Sequence, residues 1–195
     1  MSLKELDNVR NAVQPLMGSF AAPWCVAGGW ALDLFLGRVT RTHADLELAI
    51  FRQDQALLRA QLADWRLQKI VDGRTVDWHE GESLSLPVHE IHGTSRDAPP
   101  RKIEFLLNER NDDAWVFRRN AMIALAINRA IVRSKGGLPI LAPEIVLLFK
   151  AKSPRPKDEL DFRDVAPAMN GASRRWLREA LALCHAGYQW IKQLA

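Results

Sequence analysis

Residues 23–50 constrain what this chain can fold into more than any other stretch. A short apolar run, Trp24–Ala27, meets Gly28-Gly29 and then a second apolar run that closes at Gly37. The spacing predicts a buried strand, a glycine turn and a helix stopped by Gly37, because glycine takes the left-handed cap conformation without a Cβ penalty. A second strand is predicted over Asp45–Ile50. Strand side chains alternate between faces, so Asp45, Glu47 and Ala49 share one face and Leu46, Leu48 and Ile50 the other. Two carboxylates on one face, with nothing basic between them, repel each other. A divalent cation held by oxygen ligands would relieve that repulsion. The glycine turn opens a helix, where backbone N–H groups can face a phosphate. Carboxylates able to hold a metal beside such a turn point to phosphoryl or nucleotidyl transfer.

Around this stretch, apolar periodicity predicts an amphipathic helix over 3–17 and another over Arg52–Trp65. The block from Arg66 to Arg110 changes to alternation with turn signals at Asp72-Gly73, Glu80-Gly81 and His92-Gly93, which predicts several short strands. In Lys102–Leu107, residues Ile103, Phe105 and Leu107 face the core and leave Glu104 on the other face. From about Asp112 the chain is expected to turn helical, after one last strand or turn at 113–119. The run 121–129 fits either a short buried helix or a strand. Pro143-Glu144 opens a helix to about Lys152, since proline suits a first turn and the acid suits the dipole. A proline-stiffened connector follows, and 173–186 reads as a final amphipathic helix.

The combination Gly28-Gly29, then Arg38-x-Thr40-Arg41-x-His43-x-Asp45-x-Glu47, resembles the signature of the aminoglycoside and lincosamide nucleotidyltransferases. These belong to the polymerase-beta-like nucleotidyltransferase superfamily. Leu141–Lys152 followed by Arg155-x-Lys157-Asp158-x-x-Asp161-Phe162 is similar to the same family, so the likeness spans 23–50 and 140–165 and touches 102–110. It implies an α/β (α+β) fold, a mixed sheet with flanking helices. Residues 1–115 would be the catalytic core and 116–195 a mainly helical region packed on it. It further implies two-metal transfer of a nucleoside monophosphate, AMP, from a nucleoside triphosphate to a hydroxyl of a small molecule, possible acceptors including an aminoglycoside-like antibiotic. Asp45, Glu47 and Glu104 would hold Mg²⁺, with Glu104 completing the metal site or acting as general base. Asp77, Glu80, Glu82 and Glu90 compete with Glu104 for the third acidic position, or could line an acidic acceptor pocket. Gly28 and Gly29 would let the backbone approach the phosphates. Arg38, Arg41, Lys150 and Lys157 either bind phosphate or balance helix ends. His43 is read as bracing the strand start, not as a metal ligand. The resembling enzymes commonly carry Asp-x-Asp where this chain has Asp45-x-Glu47, a change the wider superfamily accepts.

Other chemistries find less support. His89-x-x-His92 has residues three apart, which point to opposite faces of an extended stretch and do not suit zinc. There is no phosphate loop of the Gly-x-x-x-x-Gly-Lys-Ser/Thr kind, no dinucleotide glycine fingerprint and no Ser/His/Asp arrangement. The net charge of +4 comes from scattered basic residues, which argues against a nucleic-acid stripe without excluding a tRNA acceptor. Cys25 and Cys184, the two cysteines, are expected as free thiols in a reducing compartment. No membrane span or signal pattern is visible, so the expected location is the cytoplasm. The competing readings are a non-catalytic member of the fold that binds a nucleotide or a protein partner, and a toxin-like nucleotidyltransferase that modifies tRNA or a protein hydroxyl.

Overall fold

The strands that carry Glu47 and Glu104 lie side by side in the middle of one mixed sheet. In the computed structural model, which describes residues 3–96 and 100–194, helix α1 (Leu3–Met17) leads into β1 (Trp24–Val26) and α2 (Gly28–Leu36). Strand β2 (Glu47–Phe51) and α3 (Gln55–Gln61) follow. Then come β3 (Arg66–Val71), β4 (Arg74–Asp77), β5 (Glu90–Thr94) and the long β6 (Lys102–Asn111). The remaining strands are β7 (Ala114–Val116), β8 (Ala124–Ala126), β9 (Ile131–Arg133) and β10 (Pro139–Leu141), with a single-turn helix α4 (Ile127–Ala130) between β8 and β9. Helices α5 (Pro143–Lys150), α6 (Pro156–Val165), α7 (Gly171–Cys184) and α8 (Trp190–Gln193) complete the chain.

Spatial order across the sheet is β4-β3-β5-β6-β2-β1-β10-β9, with β7 pairing to β6 and β8 to β7. β2 is antiparallel to β1 but parallel to β6, in a register that sets Glu47 opposite Glu104. A parallel pair needs cover on both faces. Accordingly Leu48, Ala49, Ile50 and Phe51 are all buried, and β6 buries Ile103, Phe105 and Leu107 while Glu104 and Leu106 stay half-exposed. β10 pairs parallel with β1 at Val26 and Ile140, so the sheet draws strands from both sides of residue 115.

The glycine-turn prediction holds: α2 begins at Gly28, and Gly37 caps it at φ 71°, its N–H donating to the Asp33 carbonyl at 2.8 Å. Three expectations need correction. The second strand starts at Glu47, not Asp45, because Glu47 is the first residue that pairs with β6 and Asp45 lies in the preceding loop. The helix expected over Arg52–Trp65 divides into a short 3₁₀ turn at Arg52–Asp54 and the two-turn α3. Helical structure takes over only at Pro143, since 114–141 forms four three-residue strands and one turn of helix. Strands this short give too few alternations for period two to stand out.

The C-terminal helices brace α5 and α6. Ser173 Oγ donates to the buried Glu144 at 2.7 Å, tying α7 to α5. Trp190 stacks on Phe162 with ring centroids 4.2 Å apart, and its Nε1–H donates to Glu159 at 2.8 Å. Cys25 and Cys184 are both free. Among the described residues no helix is long and apolar enough to cross a membrane.

Candidate active site

Where β2 and β6 run parallel, their adjacent polar residues open into a cleft of about 440 Å³. One wall is the glycine turn and the carboxylates Asp45, Glu47, Glu90 and Glu104. The other is the end of α5 and the start of α6, with Lys150, Lys152, Arg155 and Lys157. The expected residues Gly28, Gly29, Arg41, His43, Asp45, Glu47, Glu104, Lys150 and Lys157 all line this cleft. Arg38 does not; its exposed guanidinium lies 3.7 Å from Asp164.

The glycines are required by what sits against them. A Cβ on Gly28, whose φ is +57°, would lie 1.4 Å from Glu47 Oε2, so the longer glutamate side chain uses the space that a missing methyl leaves. A Cβ on Gly29 would meet His43 Nδ1 at 2.3 Å and the Arg41 guanidinium at 2.8 Å. His43 in turn packs on Trp30 and, through Nε2, hydrogen-bonds Asp33 at 2.5 Å. Asp33 is fully buried and also accepts from Thr40 N–H at 3.1 Å and Thr40 Oγ at 2.6 Å. This knot fixes the loop 40–43 against α2 just before the carboxylates begin. A buried aspartate inside an apolar helix was the available signal for it, because such a group needs partners.

Electrostatically the carboxylate wall is under-compensated. Burial pushes the Glu47 pKa up; Lys150 partly offsets this, while Glu104 and Asp45 add to it. Burial followed by Asp45 pushes Glu104 up as well. No hydrogen bond or ion pair reaches the Glu47 carboxylate from the described residues, although its backbone carbonyl accepts from Ala27 at 2.8 Å. Lys102 Nζ stands 3.6 Å from Asp45 and 3.4 Å from Glu104, an ammonium between two carboxylates. Burial opposes the charge on Lys102, but those acids outweigh it and raise its pKa.

On the opposite wall Arg41, Lys150, Arg155, Asp158 and Asp161 form a paired network, while Lys152 and Lys157 have no ion pair among the described residues. Arg41 donates two parallel bonds of 2.9 Å to Asp161, which also lies 3.0 Å from Lys150. Lys150 donates to Asp158 at 2.7 Å, and the Arg155 backbone and guanidinium donate to the same carboxylate at 3.0 and 2.9 Å. Burial works against charge on Asp158 and Asp161, yet their cationic donors override it and hold both well below the usual range. Arg41 and Lys150 are thus engaged by acids at spacing i, i+3 on α6, a pairing the Asp158-x-x-Asp161 pattern could have suggested.

Two donor sets for a cation share Glu104. One is the set expected from sequence, Asp45, Glu47 and Glu104, hard oxygen ligands of the kind Mg²⁺ takes, whose ligand atoms do not gather within 4.8 Å of one another in this structure. The other was missed from sequence: Glu90, His92 and Glu104 place one ligand atom each within 4.8 Å of one another. His92 Nε2 is 2.6 Å from Glu90 and 3.6 Å from Glu104, a consequence of the β5–β6 register that sets His92 opposite Glu104. His89 takes no part, its Nδ1–H donating to the Pro87 carbonyl at 2.7 Å.

A mixed sheet that carries a carboxylate row beside a glycine-opened helix defines a nucleotidyltransferase. The profile of the aminoglycoside-2''-adenylyltransferase family matches residues 11–133, and the chain belongs to that family. Solved structures agree in fold. The antibiotic-resistance factor ANT(2'')-Ia in solution is 15% identical over 95% of both chains, with a TM-score of 0.60. The lincosamide antibiotic adenylyltransferase LnuA, bound to lincomycin, is 15% identical over 84% of this chain and 98% of its own, with a TM-score of 0.58. ANT(2'')-Ia in complex with adenylyl-2''-tobramycin is 15% identical over 98% of this chain and 94% of its own, at 0.54. No curated protein sequence matches the chain.

Proposed function

We propose that the cleft moves AMP from ATP to a hydroxyl of a small-molecule acceptor, with Mg²⁺ bound by Asp45, Glu47 and Glu104. The observation that carries this reading is the Glu47 carboxylate, set against the bare backbone of Gly28 and opposite Glu104, with no ion pair of its own among the described residues and only partial compensation from Lys150. Such a group is costly unless a cation accompanies the substrate. Bound there, the metal would neutralise charge developing on the transferred phosphoryl group. The first-turn N–H groups of α2 face the same space and suit phosphate oxygens. Lys157, on the far wall, has no ion pair among the described residues and is free to meet the leaving pyrophosphate. Glu104, its proton affinity raised by burial and by Asp45, is suited to take the acceptor hydroxyl's proton. The paired residues Arg41, Lys150, Asp158 and Asp161 keep the two walls apart at a set width. The product is an AMP ester of the acceptor, with pyrophosphate released. The family and the two antibiotic-bound relatives make tobramycin and lincomycin the first acceptors to assay.

Calorimetry of ATP binding with and without Mg²⁺, on the wild type and on Asp45→Ala/Glu47→Ala, tests this. Binding is expected to need both the metal and the carboxylates. If the double variant bound MgATP as tightly as the wild type, the metal role would be lost.

A further inference from the structure

The donor set of Glu90, His92 and Glu104 is built on paired strands and not on a loop. Strand β5 alternates, with Ile91 and Gly93 buried and Glu90 and His92 half-buried on the other face. Pairing with β6 sets His92 directly across from Glu104. On its other flank His92 stands across from Gln68, whose amide N–H is already given to Asp77 at 2.9 Å. The acids around the imidazole thus come from β5 itself and from β6. Its Nε2 is the atom they share, 2.6 Å from Glu90 Oε1 and 3.6 Å from Glu104 Oε1. Carboxylates only accept, so a single proton on Nε2 satisfies one of them at a time. Glu104 is left with contacts of 3.6 Å to His92 and 3.4 Å to Lys102, both longer than a good charge-assisted hydrogen bond.

One imidazole nitrogen with two carboxylate oxygens is a different donor set from three carboxylates. Mg²⁺ prefers oxygen ligands in near-ideal octahedral geometry and gives up its water reluctantly. Zinc takes His and Glu together, and its open sites use three protein ligands and leave one position for water. Two ligands that are each about 2 Å from a tetrahedral ion stand about 3.4 Å apart. The His92–Glu104 separation of 3.6 Å is already close to that value. The His92–Glu90 contact of 2.6 Å has to open by roughly 0.8 Å to reach it, a small movement for a glutamate side chain that is not fully buried. Glu90 and Glu104 both line the cleft, so the remaining position opens toward it.

We infer that Glu90, His92 and Glu104 form a site for a zinc-class divalent cation, distinct in ligand chemistry from the magnesium set and joined to it through Glu104. Its effect on catalysis rests on the nucleotidyl-transfer reading. An ion that takes Glu104 removes both a ligand from the magnesium set and the acid suited to accept the hydroxyl proton, so zinc inhibits transfer. Zinc stands far above magnesium in its affinity for imidazole-containing sites, which lets a low concentration compete. The coupling is reciprocal, and Mg²⁺ at its own set weakens zinc by the same factor.

The test titrates the full chain, without nucleotide, with Zn²⁺ by calorimetry and with Co²⁺ as a visible probe. His92→Gln and Glu90→Gln are each expected to weaken zinc about tenfold or more, since each removes a ligand. Glu47→Gln, outside the set, is expected to leave zinc affinity nearly unchanged. Excess Mg²⁺ is expected to weaken zinc, because both sets draw on Glu104. Circular dichroism of each variant separates lost binding from lost fold. Zinc affinity indifferent to His92→Gln overturns the site. A thiolate charge-transfer band from bound Co²⁺ also overturns it, because the ion would then sit on Cys184 beside His185. Zinc affinity unmoved by excess Mg²⁺ overturns the sharing of Glu104 and the inhibition with it. If the wild type binds zinc through His92 but no MgATP, nucleotidyl transfer fails while the zinc site stands. MgATP bound through Asp45 and Glu47, with no zinc at His92, removes the zinc site and leaves the transfer reading intact.

Discussion

The two walls of the cleft treat charge in opposite ways. On the α5–α6 wall, Asp158 and Asp161 are nearly inaccessible yet each is met by at least two cationic donors, and their pKa values fall. On the sheet wall, Glu47 and Glu104 face one another across paired strands and their pKa values rise. A fully paired network holds geometry and has little left to offer a ligand. A row short of counter-charge, with Glu47 lacking any ion pair of its own among the described residues, costs stability and is ready to bind a cation. The contrast separates residues that shape the site from residues that act in it, although both kinds line the same cavity.

Removing charge from each wall should therefore have effects of opposite sign. Glu47→Gln is expected to lower transfer roughly a thousandfold, about 4 kcal/mol of charge stabilisation, in a pyrophosphate-release assay. The same variant is expected to melt higher than the wild type, by about 2–4 °C for each kcal/mol of relieved repulsion. A lower melting temperature would show that Glu47 is supported in a way the structure does not display. Asp161→Asn strands Arg41 and leaves Lys150 with Asp158 alone, and urea denaturation is expected to show a loss of about 3–5 kcal/mol. Stability unchanged by that substitution would remove the scaffold role from the α5–α6 wall.

Smaller effects sharpen the same contrast. Gly28→Ala forces a methyl into left-handed backbone, at about 1–2 kcal/mol, and pushes the Glu47 carboxylate aside. The double variant Gly28→Ala/Glu47→Asp should regain part of the transfer rate that the single change loses, because the shorter acid vacates the space. The pH dependence is the subtlest readout. Glu47 has a folded pKa above its ordinary 4.5, so the folded chain binds its proton more readily, and stability falls as pH rises through that window. Asp161 has a folded pKa below its ordinary 3.8, so its contribution is complete above that value and is lost as pH falls toward the folded one. Glu47→Gln should flatten the stability curve on the higher side and Asp161→Asn on the lower, as followed by chemical denaturation across pH 2–7.

What could be read from the residues follows the range of the interactions involved. The strand, glycine turn, helix and stop at Gly37 are local and obey short-range rules, so they stand where the spacing predicts them. Glu104 was identifiable because Ile103, Phe105 and Leu107 alternate around it within a single strand. The Arg41–Asp161 pair joins residues far apart in the chain; the Asp158-x-x-Asp161 spacing marks an acidic helix face, but it does not say which distant cation meets it. His92 illustrates the same limit. Counted along the chain, it is three residues from His89 and points the other way, whereas its real companions come from the adjacent strand. The strand boundary at Glu47 depended on where pairing with β6 begins, which is a property of two segments and not of one.

The parallel alignment of β2 with β6 has a consequence for how the protein reaches its working state. A slip of one residue between these strands would rotate Glu104 into the apolar interior and turn Phe105 toward the cleft, because the side-chain period is two. Every other strand could be present and the carboxylate row would still be broken. On the proposed function, a chain with misaligned strands cannot recognise metal-nucleotide, while a correctly aligned one gains stability from it by mass action. Ligand-dependent protection against unfolding would then report on strand alignment, a quantity that helix content or compactness alone would miss.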